Sequence, residues 1–198
     1  MYKITSSAIV VFTFCLLLLP GRSVLSQEIT CIAYTYNGGF AYVYADGTYS
    51  ARSVPKTFIS WTDKFRNEGN KIKSVAFTKK GGYVIIYGSN GYRYWNIPSG
   101  LEKRIKEANS QNKTIKSVAI GSNDQWVLLV DGWMYWSDNC PVHLKEKMNT
   151  EAQNGAQMMM VGFNSSNGWI LQYKKDGSIG SWSTSLTSEQ KEAFLNKN

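Results

Sequence analysis

The chain has 198 residues, a formal net charge of +8, 43% hydrophobic residues and 14% aromatics. That length suits one domain with a sizeable core. The positive charge is spread along the chain with no dense run of Lys or Arg, which argues against a nucleic-acid interface and leaves solubility and weak attraction to anionic surfaces as its role.

The first segment reads as a secretory signal. Lys3 gives a basic start, Ala8 to Leu19 is a run of twelve nearly all apolar residues, Pro20-Gly21 breaks any helix, and Val24-Leu25-Ser26 supplies a cleavage region. The run is too short for a hydrocarbon core that needs about 20 residues, and Cys15 lies inside it, where a lipoprotein cysteine would follow it. Cleavage near Ser26 leaves 172 residues and removes Lys3 and Arg22, taking the formal charge from +8 to +6. The expected location is secreted or periplasmic, with no transmembrane segment in the mature chain.

From residue 27 onward the chain repeats itself. Ala33, Ala76, Ala119 and Gly162 recur at steps of 43 residues, as do Tyr34, Phe77, Ile120 and Phe163, and Phe40, Tyr83, Trp126 and Trp169. Four units of that length fill the mature chain, at about 27–70, 71–113, 114–156 and 157–198, with no linker between them. Repeats of this size imply units that stack to bury a shared core.

Each unit has the same internal order. In the second, Ile72 to Phe77 and Tyr83 to Tyr87 are β-branched and aromatic runs around Gly81-Gly82. Asn90-Gly91 predicts a tight hairpin, with Asp46-Gly47, Asp131-Gly132 and Asp176-Gly177 in the same place elsewhere. Tyr92 to Ile97 is a third strand. A helix follows, opened by a Ser99/Glu102 capping box and carrying the apolar stripe Leu101, Ile105, Ala108. Phe58, Trp61 and Phe65 mark the first helix, and Leu144, Met148 and Ala152 the third. Thr187/Gln190 and Phe194-Leu195 mark the last. The fold class is α+β, mainly β: four tandem strand-strand-strand-helix repeats in a propeller-like closed ring, with an open arc or solenoid as the alternative.

The wording Ser74-Val75-Ala76-Phe77, Gly81-Gly82, Asn90-Gly91 and Trp95 resembles a blade of the WD-repeat β-propellers. Ser117-Val118-Ala119-Ile120, Asp131-Gly132 and Trp136 repeat it, and Asp176-Gly177 with Trp182 follow. The chain departs from that family in lacking its Gly-His dipeptide, in placing a helix where the outer strand belongs, and in having four units. The resemblance implies a ring or arc of small sheets with a binding role. It carries over no binding residues.

Few residues point to chemistry. Cys140-Pro141-Val142-His143 is half of a metal motif, but a zinc site needs about four ligands and no second cluster exists. Cys–His catalysis lacks a third group to orient the base. Asp46, Asp131 and Asp176 occupy turns, where Asp is favoured for its backbone chemistry. No catalytic residue, metal or cofactor is therefore expected, and a hydrolase survives only if acids from different repeats converge. Cys31 and Cys140 form either a disulfide or two buried thiols, and the closed ring predicts that they do not pair within one chain. Asn112-Lys113-Thr114 and Asn164-Ser165-Ser166 fit the glycan acceptor pattern.

The remaining signal is aromatic. Tyr92, Tyr94, Trp95, Trp133, Tyr135, Trp136 and Trp182 follow the hairpin turns, and alternation along a strand turns some of them outward. They are the candidate ligand-binding residues of an exported, non-catalytic module whose partner is a glycan or a protein surface. The alternative is a structural subunit of an envelope or matrix.

Overall fold

The computed structural model describes residues 28–187. The signal segment at 1–26 and the Gln190, Phe194 and Leu195 of the expected last helix lie outside the described residues. The protein is mainly β, with four three-stranded antiparallel sheets and three helices among those residues. The first unit comprises β1 (Ile29–Tyr34), β2 (Phe40–Tyr44), β3 (Tyr49–Arg52) and α1 (Lys56–Asn67). The second comprises β4 (Ile72–Phe77), β5 (Tyr83–Tyr87), β6 (Gly91–Trp95) and α2 (Ser99–Ser110). The third comprises β7 (Ile115–Ile120), β8 (Trp126–Val130), β9 (Trp133–Trp136) and α3 (Val142–Gln153). The fourth supplies β10 (Gln157–Phe163), β11 (Trp169–Lys175) and β12 (Ser178–Thr184).

The central strands read as unbroken apolar runs, Tyr83 to Tyr87 and Trp126 to Val130, because both faces of their sheets are covered. Val75, Phe77, Tyr83 and Ile85 meet Ala33, Ala41 and Val43 of the first sheet across Phe58 and Phe65 of α1. Ala76, Val84 and Ile86, on the other face, meet Val118, Ile120 and Leu128 of the third sheet across Leu101, Ile105 and Ala108 of α2. Leu144 and Met148 of α3 fill the next gap, between Val127 and Leu129 and the fourth sheet's Val161, Phe163 and Leu171. Each helix is thus a wedge between its own sheet and the following one. Ile32, Met160 and Ile170 form a smaller core where the fourth sheet meets the first.

The first strands come closest together. β1 touches β4, β4 touches β7, β7 touches β10, and β10 touches β1. The small residues Ala33, Ala76, Ala119 and Gly162 allow that approach, and the cavity left among the four strands is only about 10 Å³, room for roughly one water. No hydrogen-bonded strand pairing joins one sheet to another among the described residues. Side chains connect them, together with a backbone bond from the Ile72 amide to the Gly47 carbonyl at 3.3 Å. The Val75 amide donates to Cys31 Sγ at 3.4 Å, and the Val118 amide donates to Ser74 Oγ at 3.0 Å. Ser117, third in that column, is buried without a partner for its hydroxyl. Cys31 and Cys140 are both buried free thiols and lie in different cores. Burial pushes the Cys31 thiol up and Cys140 to about 11.

Two local expectations are corrected. The Ser99/Glu102 capping box does not form: Pro98 is the N-cap residue and no side chain caps the helix. Pro55 and Pro141 hold the same position before α1 and α3, so Pro55, Pro98 and Pro141 are a further column at 43-residue steps. With Ser99 already helical, Glu102 is free to accept from the Tyr94 hydroxyl at 2.8 Å and from Lys106 Nζ at 2.6 Å. The second correction concerns the hairpins. In unit two the loop is Gly88 to Asn90, with Gly88 at φ +58°, and Gly91 already pairs with Tyr87. Only Asp176-Gly177 has positive φ at both turn residues, 49° and 80°. In unit three the loop is one residue shorter, since Val130 pairs with Trp133. An extra residue before Pro141 restores the period.

The loop after each first strand is fixed by one side chain. Thr35, Thr78 and Asn164 accept the amide protons of Gly39, Gly82 and Gly168 at 2.7, 2.8 and 2.7 Å. Unit three inverts the pair: Gly121 faces Gln125, whose amide fills the space a side chain on Gly121 would need. A Cβ on Gly82 would collide with the backbone oxygens of Asn96 and Trp95, whereas one on Gly81 would meet nothing, though φ there is +77°. Gly82→Ala is therefore expected to cost about 3 kcal/mol through forced backbone movement, and Gly81→Ala about 1 kcal/mol through the left-handed conformation alone. Urea denaturation measures both. Equal costs would mean that the end of β6 does not lie over Gly82.

Candidate functional site

The seven aromatics of the third strands divide into groups. Tyr92 and Tyr94 are half-buried and stacked with ring centroids 6.0 Å apart, leaning on the core around α2. Tyr135 packs against that same core from the third sheet, and Trp136 against the core around α3. Trp95, Trp133 and Trp182 are 66%, 60% and 41% exposed. Trp95 closes β6 at the end away from its hairpin, while Trp133 opens β9 beside its own. The aromatics therefore do not converge on one face. The shorter hairpin of unit three is the cause, because it shifts β9 by one residue against β6 and reverses which side chains face which gap.

Some of these rings hold units together. Arg93, Tyr135 and Trp182 pair with the equivalent residues Ile85, Leu128 and Leu171 of their sheets. Each faces the preceding helix and forms a cation–π contact there. The Arg93 guanidinium lies 4.0 Å from the Trp61 ring, that of Arg104 lies 4.8 Å from Tyr135, and Lys147 Nζ lies 3.7 Å from Trp182. Trp61, Arg104 and Lys147 are themselves spaced by 43 residues. The contact recurs in all three helical gaps, with ring and cation exchanged in the first. Trp182 also donates its indole proton to the buried Glu151 at 2.8 Å. These contacts engage Tyr135 and Trp182 structurally.

Trp133 and Trp136 line the largest cavity described, of about 420 Å³. Its floor is Leu129, Val130, Met134, Ala152 and Met158, and its polar rim is Lys116, Asn149 and Gln157. The β8–β9 hairpin, the last turns of α3 and the start of β10 position these groups. Lys113 Nζ lies 5.1 Å from the Trp133 ring. Lys116 is held at 3.0 Å from Asp131, which keeps that carboxyl below its usual range. An exposed indole beside amides and ammonium groups can stack on a sugar ring and satisfy its hydroxyls. Lys113, Lys116, Asn149 and Gln157 did not stand out in the sequence. The available signal was the column Thr30, Lys73, Lys116, occupied by the residue where each first strand breaks register.

The reactive candidates are otherwise engaged. His143 is exposed on α3 and contacts Glu146 at 3.3 Å, while Cys140 is buried with its thiol held protonated at neutral pH. Asp46 accepts from the Thr48 amide and hydroxyl at 2.8 and 2.6 Å, and its carboxyl is lowered. A general acid needs the opposite shift. No group of three or more His, Cys, Asp or Glu suited to a metal ion occurs among the described residues. No helix among them is long and apolar enough to cross a membrane. Of the two acceptor asparagines, Asn164 is buried with both ends of its amide bonded, and Asn112 is exposed at φ 53°.

Comparisons of the chain with protein-family models, curated proteins and solved structures return no match, so the reading of the site rests on its own geometry. Trp182→Ala is expected to cost about 2 kcal/mol, since it leaves Glu151 buried without its charged hydrogen bond, and to leave the Trp133 cleft intact. Urea denaturation alongside the intrinsic fluorescence of Trp133 reads both effects. An unchanged midpoint would remove Trp182 from the structural contacts.

Proposed function

We propose that the protein is an exported, non-catalytic binding module that takes a glycan chain in the cleft of Trp133 and Trp136. The observation that carries this reading is a cavity of about 420 Å³ lined by Trp133, 60% exposed, and Trp136, together with the polar residues Lys116, Asn149 and Gln157. Aromatic faces accept the apolar C–H face of a sugar, and amides and ammonium groups accept or donate to its hydroxyls. The signal layout of residues 1–26 supports export.

The four units in this reading form a closed, propeller-like ring, and the site lies where the third unit packs against the fourth. Support for the ring comes from the contact of β10 with β1 and from the narrow space shared by all four first strands. A role as an envelope or matrix subunit is a second reading. It draws on β12, an uncharged seven-residue strand at a sheet edge with Ile179 exposed, a surface suited to pairing with another strand.

Glycan-array binding followed by titration calorimetry tests the first reading. Trp133→Ala is expected to weaken binding by about 30-fold, the loss typical of an aromatic anchor worth about 2 kcal/mol. Failure to bind any glycan, with concentration-dependent self-association in sedimentation velocity, would favour the assembly reading.

A further inference from the structure

Beside the Trp133 cleft runs a second groove, of about 340 Å³, lined by Thr30, Tyr44, Lys71, Lys73, Thr114 and Lys116 together with the backbone around them. Its construction follows from the repeat. Each first strand breaks register against its neighbour at one residue, between Ile29 and Cys31, Ile72 and Ser74, Ile115 and Ser117, and Met158 and Met160. A bulge of this kind re-aims the side chain of the extra residue. In the first three units the extra residues are Thr30, Lys73 and Lys116, and all three line the same groove, while Met159 of the fourth does not. Lys71 and Thr114 are a second equivalent pair, two residues earlier in their units. The groove is thus an array of equivalent positions laid across three units.

Its charge is unbalanced. Lys116 is paired with Asp131 at 3.0 Å, and Lys71 lies near Asp46, whose carboxyl is lowered chiefly by the Thr48 hydroxyl and amide and only slightly by Arg66 and Lys71. Lys73 Nζ donates to the Ser89 carbonyl at 3.2 Å and has no ion pair among the described residues. Lys113 adds a further positive charge against Trp133. Three lysines therefore line the groove itself, and of these Lys116 is ion-paired with Asp131 and Lys71 lies near Asp46. Lys116 is common to both cavities, so the lysine groove and the indole cleft share a wall.

We infer that the ligand is an acidic polysaccharide, bound with one sugar against Trp133 and with the sulfate or carboxylate groups of neighbouring sugars along Lys116, Lys73 and Lys71. This rests on the glycan reading above and narrows it from any sugar chain to an anionic one. Ammonium groups spaced along a shallow groove suit a chain with a repeating charge, because each contributes a modest, salt-screened attraction and the array supplies the selectivity.

The test compares dextran sulfate with unmodified dextran, using calorimetry on the mature protein at two salt concentrations. Dextran sulfate is expected to bind at least ten-fold more tightly, with an advantage that shrinks as salt rises. Lys71→Gln/Lys73→Gln should abolish most of that preference. Lys79→Gln/Lys80→Gln, which removes the same charge at the opposite end of β4, should leave it nearly unchanged. Equal loss in the two double variants would mean attraction by net charge and would overturn the inference. Equal affinity for both polymers would also overturn it while leaving the glycan reading standing. Binding that survives the lysine substitutions but is lost in Trp133→Ala would have the same meaning. Binding to phosphatidylglycerol vesicles with neither polymer bound would overturn it in favour of a lipid surface.

Discussion

A sheet of three short strands that is apolar on both faces cannot stand alone, and the rest of this structure follows from that constraint. Val84 and Ile86 point one way and Ile85 the other, and all three are buried. Each sheet therefore needs a neighbour on each side. A 43-residue unit provides one sheet and one helix, and the helix fills the wider outer part of the gap between consecutive sheets. Toward the first strands no helix fits, and the sheets meet directly through Ala33, Ala76, Ala119 and Gly162. The units are interdependent in the way that stacked repeats are.

The same dependence explains the polar contacts between units. A hydroxyl or thiol at the third position of a first strand reaches the backbone of the next, as Ser74 does at Val118. At the outer edge the cation–π contacts of Trp61, Tyr135 and Trp182 tie the third strands β6, β9 and β12 to the preceding helix. Contacts of this kind contribute about 0.5–1 kcal/mol each when exposed, well below the apolar cores. Their value lies in fixing how one unit sits on the next. Because Tyr135 and Trp182 are used in this way and Tyr92 and Tyr94 lean on the core, the most exposed third-strand aromatics are Trp95 and Trp133.

Much of the fold was legible because it is periodic. The columns at Ala33 and Phe40 located the units, and the stripe Leu101, Ile105, Ala108 located a helix whose buried face is that stripe. The errors have local causes. Ser99 and Glu102 match a capping signature, but the preceding Pro98 starts the helix one residue earlier in register. Pro55, Pro98 and Pro141 were the more informative column. The aromatics of units two and three look alike in sequence, yet one residue fewer in the β8–β9 hairpin turns them to different faces. The site was legible only in part. Trp133 and Trp136 stood out, whereas Lys116, Asn149 and Gln157 reach the cleft from separate elements that only the packing of unit three against unit four brings together.

The arrangement of the four units depends most on the contact between the first and last, which the small core of Ile32, Met160 and Ile170 makes. A double-mutant cycle on Ile32→Ala and Ile170→Val measures it directly by urea denaturation. If β1 and the fourth sheet pack together as described, the two costs are non-additive by about 0.5–3 kcal/mol, the range for residues in contact. Additivity to within about 0.3 kcal/mol, as for residues with no shared partners, would contradict the contact and leave the four units as an open arc.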